Sequence, residues 1–321
     1  MQANTFRSPK IPSVSSSRLH NFAFAGLAPS LSIVITSPVD VVKARMQTTG
    51  ESGSKNCEVC MFRVLRNIIR VEGISGLYRG LGISMVREAS LNVLRLGLYD
   101  PIMARMHPGY KDMKSSKETG LPPLYKRLIC GSICGIIGSL FANPTELIKC
   151  RLQCAGATAS GHSYRYGGAF DAFRKIIKSE GVLGLWNGAG VFAMRNALGS
   201  AANLSTFSAL KEYALHYHED SIMVDTLSGL GSGFITSCVM CPLDMIKTRM
   251  QNQPIDPVTG RGKLYRSADH AILKIVRNEG VLALWKGFSS LFVRTGPHYV
   301  LTFTIYGLLQ RWTTNSTFSD V

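Results

Sequence analysis

The chain has 321 residues, 45% of them hydrophobic and only 17% charged, below the roughly 25% charged residues of an ordinary soluble domain. Lys and Arg number 36 against 20 Asp and Glu, a formal surplus of 16, so the natural partners are polyanions, anionic membranes or acidic small molecules. No zinc-finger spacing, basic heptad helix or aromatic RNP-like strand occurs, and the basic residues sit at segment ends, which argues against nucleic acid. No Walker loop, GxGxxG or HExxH is present and the seven histidines are scattered, so no enzyme chemistry and no cofactor are expected.

Residues 1–19 carry serines and basic residues without the apolar core of a secretory signal, and Pro9 and Pro12 oppose an amphipathic transit helix. A short disordered lead-in is the expectation there. Three similar units then follow, over 20–112, 123–214 and 222–314, a period of about 100 residues that is too long for the common soluble helical arrays. Each opens with an apolar segment (22–37, 128–143, 226–241) that ends in one phrase: SPVDVVKARMQ (37–47), NPTELIKCRLQ (143–153) and CPLDMIKTRMQ (241–251). A polar loop and an amphipathic stretch come next, such as AFDAFRKIIKSEG (169–181), with apolar positions at helical spacing. A second phrase follows as EGISGLYRG (72–80), EGVLGLWNG (180–188) and EGVLALWKG (279–287), and it leads into a further apolar segment near 81–104, 189–210 and 288–309.

Counted past its proline, each apolar segment is long enough for the roughly 30 Å hydrocarbon core, which takes about 20 helical residues. The expected fold is an all-α membrane protein of six transmembrane helices and three short amphipathic helices, with both termini on one side. Gly131 and Gly135, and Gly229 and Gly233, have the small-xxx-small spacing that permits close helix approach in lipid. Basic residues lie in loops on both sides, so they do not set the orientation. Eight cysteines include the pairs Cys57/Cys60 and Cys238/Cys241, but only the first falls in a loop and no second loop pair joins it. Zinc is therefore not expected, and the cysteines read as small packing residues.

Pro38, Pro144 and Pro242 each remove a backbone donor and kink a helix, tipping three equivalent helix ends towards a shared axis. Asp40, Glu146 and Asp244 follow two residues later, Lys43, Lys149 and Lys247 five later, and Gln47, Gln153 and Gln251 nine later. A single copy is explained by an i,i+3 pair worth about 0.2–0.5 kcal/mol. Three copies at identical offsets point instead to acids and lysines alternating in a ring between helices, modest enough in strength to open.

Arg87, Arg195 and Arg294 each stand seven residues after the last glycine of the second phrase, inside an apolar segment. An arginine at a helix centre costs about 2.5–3.5 kcal/mol unless it faces water or a partner. Only Glu88 adjoins Arg87, and no acid accompanies Arg195 or Arg294 in its own segment. The three are expected to face a wet space, where guanidinium forks suit a molecule with two or more anionic groups. Arg95, eight residues beyond Arg87, adds a fourth cation on a similar face, while His298 beside Pro297 reads as a packing residue.

The triplicated PxDxxKxR and EGxxxxYRG phrases, over about 290 of the 321 residues, resemble the mitochondrial carrier family. The resemblance implies a pseudo-threefold six-helix barrel with three short matrix helices in the mitochondrial inner membrane. It implies a matrix-side gate formed by the charged ring and braced by Gln47, Gln153 and Gln251, and a substrate bound midway at Arg87, Arg195 with Asn196, Arg294 and Arg95. It further implies an inner-membrane lipid partner such as cardiolipin, a monomer, and no metal. The family's opposite gate is reduced here: YDPIM (99–103), FSALK (207–211) and YGLLQ (306–310) leave at most one cytoplasmic pair, Asp100 with Lys211, so the chain is expected to rest open on that side. Asn187 stands where the second phrase has a basic residue elsewhere. REASLNVLRLGLYD (87–100) resembles dicarboxylate and uncoupling carriers, whereas GSAANLSTFSALKE (199–212) and FVRTGPHYVLTF (292–303) look closest to the oxaloacetate carrier subgroup. That favours oxaloacetate or a similar dianion, with sulfate or malonate as cosubstrates, moved by antiport or symport. Another dicarboxylate or 2-oxoglutarate carrier, or an uncoupling-type carrier, is the alternative.

Overall fold

The computed structural model describes residues 18–48, 60–108, 110, 122–156, 166–217, 222–256, 262–295, 301 and 305, with backbone alone at 18–26, 96, 204, 215–217 and 222–226. Among these residues lie five long helices: α1 (Arg18–Thr48), α3 (Leu81–Met106), α4 (Leu124–Cys154), α6 (Ala189–Tyr217) and α7 (Ile222–Asn252). Three short ones, α2 (Met61–Glu72), α5 (Ala169–Glu180) and α8 (Ala268–Glu279), are each followed by a tight helical turn, and residues 288–295 begin a further helix. The chain is an all-α membrane protein. By length and apolarity alone, α4 and the stretches Leu27–Thr48 of α1 and Leu227–Asn252 of α7 suffice to cross a membrane. The second long helix of each repeat (α3, α6 and the one beginning at 288, the even helices, against the odd helices α1, α4 and α7) carries an arginine, Arg87, Arg195 or Arg294, that turns inward.

The long helices pack in sequence as a ring, α1 on α3, α3 on α4, α4 on α6 and α6 on α7. The helix beginning at 288 closes it. Phe288 and Phe292 meet Phe234 of α7 edge-on at 5.6 and 5.8 Å between ring centroids, and Ser290 Oγ reaches Met46 Sδ of α1 at 3.4 Å. Most of the lead-in 1–19 lies outside the described residues, and its last two residues already belong to α1. His298 and Cys57 also lie outside them, whereas Cys60, Cys130, Cys134, Cys150, Cys154, Cys238 and Cys241 are free thiols.

Each short helix presents two buried residues one turn apart to the far end of its own repeat's first helix. Val64 and Ile68 join Val41, Val42 and Met46; Ala172 and Ile176 join Leu147, Ile148 and Leu152; Ala271 and Ile275 join Ile246. Three copies of one small core thus sit at the end where the proline phrases converge. The glycines behave unevenly. A Cβ on Gly135 would meet the Asn196 backbone at 3.5 Å, a true close approach of α4 to α6, whereas Gly131, Gly229 and Gly233 have open space around them. The small-residue spacing therefore marks one helix contact and not the two expected.

The kinks have a partner that their spacing alone did not reveal. Proline at position i leaves the carbonyl at i−4 without its helical donor. The orphan of Pro144 is Leu140, whose carbonyl accepts from Trp186 Nε1 at 3.1 Å; the orphan of Pro242 is Cys238, which accepts from Trp285 Nε1 at 3.1 Å. The aromatic residue of the second phrase therefore caps the break made by the first. Tyr78 holds this place in repeat 1, and no such bond to Val34 is recorded among the described residues. Replacing Trp186 or Trp285 by Phe should lower stability by about 1 kcal/mol each through the lost hydrogen bond. Tyr78→Phe should be neutral, as read from thermal denaturation of the detergent-purified protein.

Candidate functional site: a charged ring beneath a cationic cavity

Where the kinked ends of α1, α4 and α7 meet, acids and lysines pair from helix to helix. Lys43 reaches Asp244 at 2.6 Å, Lys149 reaches Asp40 at 3.1 Å, and Lys247 pairs with Glu146. Each partner lies on a different helix, so the pairs close a ring, and no i,i+3 pair within a helix takes their place. All three acids are buried.

The arginines of the even helices complete these carboxylates. Arg87 Nε lies 2.5 Å from Glu146, Arg195 Nε 2.6 Å from Asp244, and Arg294 Nε 2.7 Å from Asp40. In every case the lysine takes one carboxylate oxygen and the arginine takes the other. No acid accompanies Arg195 or Arg294 within its own segment, yet neither is unpaired. The acids come from the neighbouring odd helices, where a search within each span does not look. The guanidiniums do converge on one space, a cavity of about 450 Å³ lined by Arg87, Arg95, Arg195, Arg294 and the single acid Glu88. It runs away from the ring, along the successive turns of α3 at Leu91 and Arg95 and of α6 at Gly199 and Asn203. Within ring and cavity, seven cations face four carboxylates, a surplus of three positive charges.

Other expected residues are placed differently. Asn196 lines the cavity with its amide already engaged, accepting from Arg195 Nη1 at 2.9 Å and donating to Ser139 Oγ at 2.7 Å, so it orients Arg195. Arg95 donates to Ser200 at 2.8 Å across to α6. The glutamines do not bond to the ring's ion pairs. Gln47 accepts from Thr248 at 2.8 Å and Gln251 donates to Asn143 at 3.3 Å, while Gln153 is buried nearby. Their stems instead carry the even helices' starts: Gly188 (φ 74°) and Gly287 (φ 91°) would place a Cβ 3.0 Å from Gln251 Cγ and 3.3 Å from Gln47 Cγ. At the other end, Asp100 accepts from the Tyr110 hydroxyl at 3.0 Å.

A second set of residues went unassigned in the sequence. Arg45, Arg151 and Arg249, the last basic residues of the first phrase, grip Glu72, Glu180 and Glu279 of the second with both nitrogens, at 2.5–2.9 Å. Their Nε atoms donate onward to the Gln153, Gln251 and Gln47 carbonyls of the next repeat's helix end, at 3.0–3.2 Å. A cation is well placed among unsatisfied carbonyls at a helix C-terminus. Asn187 keeps part of this role, donating to the Met250 carbonyl at 2.7 Å, where Lys286 pairs with Glu279 at 2.5 Å. Phe192, fully buried, lies beneath the Lys247 ammonium at 4.3 Å, a cation–π contact with no sequence signal of its own.

The profile of the mitochondrial carrier protein family matches residues 15–109, 121–218 and 218–317. The Dictyostelium discoideum mitochondrial substrate carrier family protein ucpB is 34% identical over 293 residues, 90% of this chain and 94% of that one. The Mus musculus mitochondrial 2-oxoglutarate/malate carrier protein is 34% identical over 286 residues, covering 88% and 87%. The Arabidopsis thaliana mitochondrial uncoupling protein 2 is 32% identical over 299 residues, covering 91% and 93%.

The buried clamp of Arg151 on Glu180 makes the stability of repeat 2 sensitive to either partner. Arg151→Ala leaves a buried carboxylate unpaired and should cost about 3–5 kcal/mol, with partial recovery when Glu180→Ala is added, as measured by denaturation in detergent. Glu279, on the short helix α8, gives a pH test. Burial opposes its ionisation, but hydrogen bonds from Arg249 and Lys286 outweigh it and hold the carboxyl below its ordinary 4.5. A depressed folded value means stability that is present at neutral pH and is lost as pH falls below that ordinary value through the folded one. Melting temperature should therefore drop on acidification, and less steeply in Glu279→Gln.

Proposed function

This chain belongs to the mitochondrial carrier protein family, and from that premise we propose that it moves small dicarboxylate and keto-acid anions, oxaloacetate foremost, by alternating access. It is a multi-pass protein of the mitochondrial inner membrane. The observation that carries the proposal is the sharing of each ring carboxylate between a lysine of the ring and an arginine of the cavity. A dianion entering the cavity competes for the same guanidiniums. Each arginine it draws away leaves a ring acid held by a lysine alone, so binding energy is spent on weakening the closed end and the ring opens with the substrate above it. In this reading Arg87, Arg195, Arg294 and Arg95 bind the anion, Asn196 orients Arg195, and the ring is the matrix gate.

The charge surplus and the guanidinium geometry favour a small molecule with two carboxylates over a neutral solute or a single carboxylate. Sulfate and malonate fit the same chemistry, and whether the cycle is antiport or symport follows from what returns through the empty cavity. The names of two relatives, the 2-oxoglutarate/malate carrier and uncoupling protein 2, keep another dicarboxylate or 2-oxoglutarate carrier, or an uncoupling-type carrier, as the second reading. Asp100 with Lys211 forms the weak cytoplasmic latch, so the empty carrier rests open on that side. Ring and cavity are complete within one chain, which supports a working monomer, and inner-membrane lipid, cardiolipin included, surrounds it.

The test is uptake by purified protein in liposomes, with oxaloacetate, malate, 2-oxoglutarate, sulfate, phosphate and ADP offered separately. Dicarboxylate uptake should dominate, and Arg195→Ala should abolish it in a protein that still melts cooperatively. Fatty-acid-stimulated proton flux without anion uptake would install the uncoupling-type reading. In the empty carrier, cysteines introduced near Asn203 should react with an impermeant reagent from the cytoplasmic face far faster than cysteines near Thr48 do from the matrix face.

A further inference from the structure

Glu88 is the one acid lining the cavity among the described residues, and it has no counterpart in the other repeats, where Asn196 and Thr295 follow the equivalent arginines. Its Oε1 lies 2.5 Å from Arg87 Nη1 and 3.7 Å from Arg294 Nη2, and Asn92 Nδ2 lies 3.4 Å from its Oε2. The side chain is 12% exposed and holds two of the three guanidiniums that face the ring. Its position is that of a substrate carboxylate already in place.

We propose that Glu88 is a specificity-determining residue: a built-in carboxylate that occupies part of the guanidinium cluster and caps the anionic charge the cavity accepts at two. The inference rests on the dianion reading above. With Glu88 ionised, ring and cavity hold a surplus of three positive charges, one fewer than the guanidiniums and lysines would present without it. A third substrate carboxylate would also have to sit against Glu88, because the Arg87 Nη1 it needs is taken. Two like charges in a partly dehydrated site repel strongly, so the acid excludes through repulsion as well as by occupancy. It likewise competes with the dianion itself, which weakens binding and speeds release.

The test compares wild type, Glu88→Gln and Glu88→Asp, using malonate as the dianion and tricarballylate as the trianion, at mildly alkaline pH. Ligand-induced thermal stabilisation in detergent reads binding, and liposome uptake reads transport. Glu88→Gln should narrow the preference for malonate over tricarballylate on the order of tenfold, equivalent to about 1.4 kcal/mol. It should also lower KM for malonate together with kcat, as expected when a competitor for the site is removed. Glu88→Asp, which keeps the charge, should retain most of the discrimination. An unchanged preference in Glu88→Gln, or equal loss in Glu88→Asp, overturns the assignment while dianion uptake by the wild type leaves the functional reading standing. A wild type that neither binds nor carries dianions removes that reading and this inference with it.

Discussion

Everything in this molecule depends on three buried carboxylates that each serve two masters. Asp40, Glu146 and Asp244 each give one oxygen to a lysine on the next odd helix and the other to an arginine on an even helix. A buried carboxylate with one cation is a marginal arrangement, because desolvation consumes most of what the pair gains. With a second cation within ion-pair distance of its other oxygen, the acid's charge is compensated from both sides, and the site as a whole is left with surplus positive charge. The same geometry therefore holds one end shut and keeps the cavity attractive to anions.

The ring and the clamps beneath it divide the labour. The clamps of Arg45, Arg151 and Arg249 join each repeat's two phrases and tie them to the next repeat's helix end, and their guanidiniums are almost wholly buried. They do not face the cavity, so nothing that enters it competes for them. The ring's arginines do face it. On the proposed cycle, one set of ion pairs would stay made while the other exchanges partners, and each short helix would move with the kinked helix it is clamped to. The indoles of Trp186 and Trp285, bonded across the proline breaks, stiffen the same units.

The triplicated offsets made the helical plan, the kinks and the ring legible from the sequence, because three copies of one spacing turn an ambiguous i,i+3 pair into a statement about symmetry. What stayed hidden was whatever depends on which helices become neighbours. Arg195 and Arg294 seemed to lack acids because their partners lie on other helices, about 50 and 250 residues distant in the chain. The indole-to-carbonyl bonds were hidden for the same reason, although the i−4 rule already named Leu140 and Cys238 as orphans. Gly131, Gly229 and Gly233 misled in the opposite direction: the spacing permits close approach, but only packing decides which glycine meets a helix, and of these four Gly135 alone does. Glu88 was visible as a neighbour of Arg87 in sequence, yet its reach to Arg294 needed the closed ring of helices.

The charged ring repeats three times, but a linear dicarboxylate has no threefold axis. Selectivity must therefore reside where the repeats disagree. The residue after each cavity arginine is the sharpest such place: Glu88 is charged and bound to two guanidiniums, Asn196 is neutral and pinned between Arg195 and Ser139, and Thr295 turns its hydroxyl back to the Leu291 carbonyl at 2.7 Å. Arg95 adds a cation on α3 that reaches across to α6. One side of the cavity thus carries an acid beside two arginines and the other side a hydrogen-bonded amide. An asymmetric anion in this cavity would meet two unlike ends, so on the proposed cycle its orientation, and the arginine it draws from the ring first, would follow from these departures from the repeat.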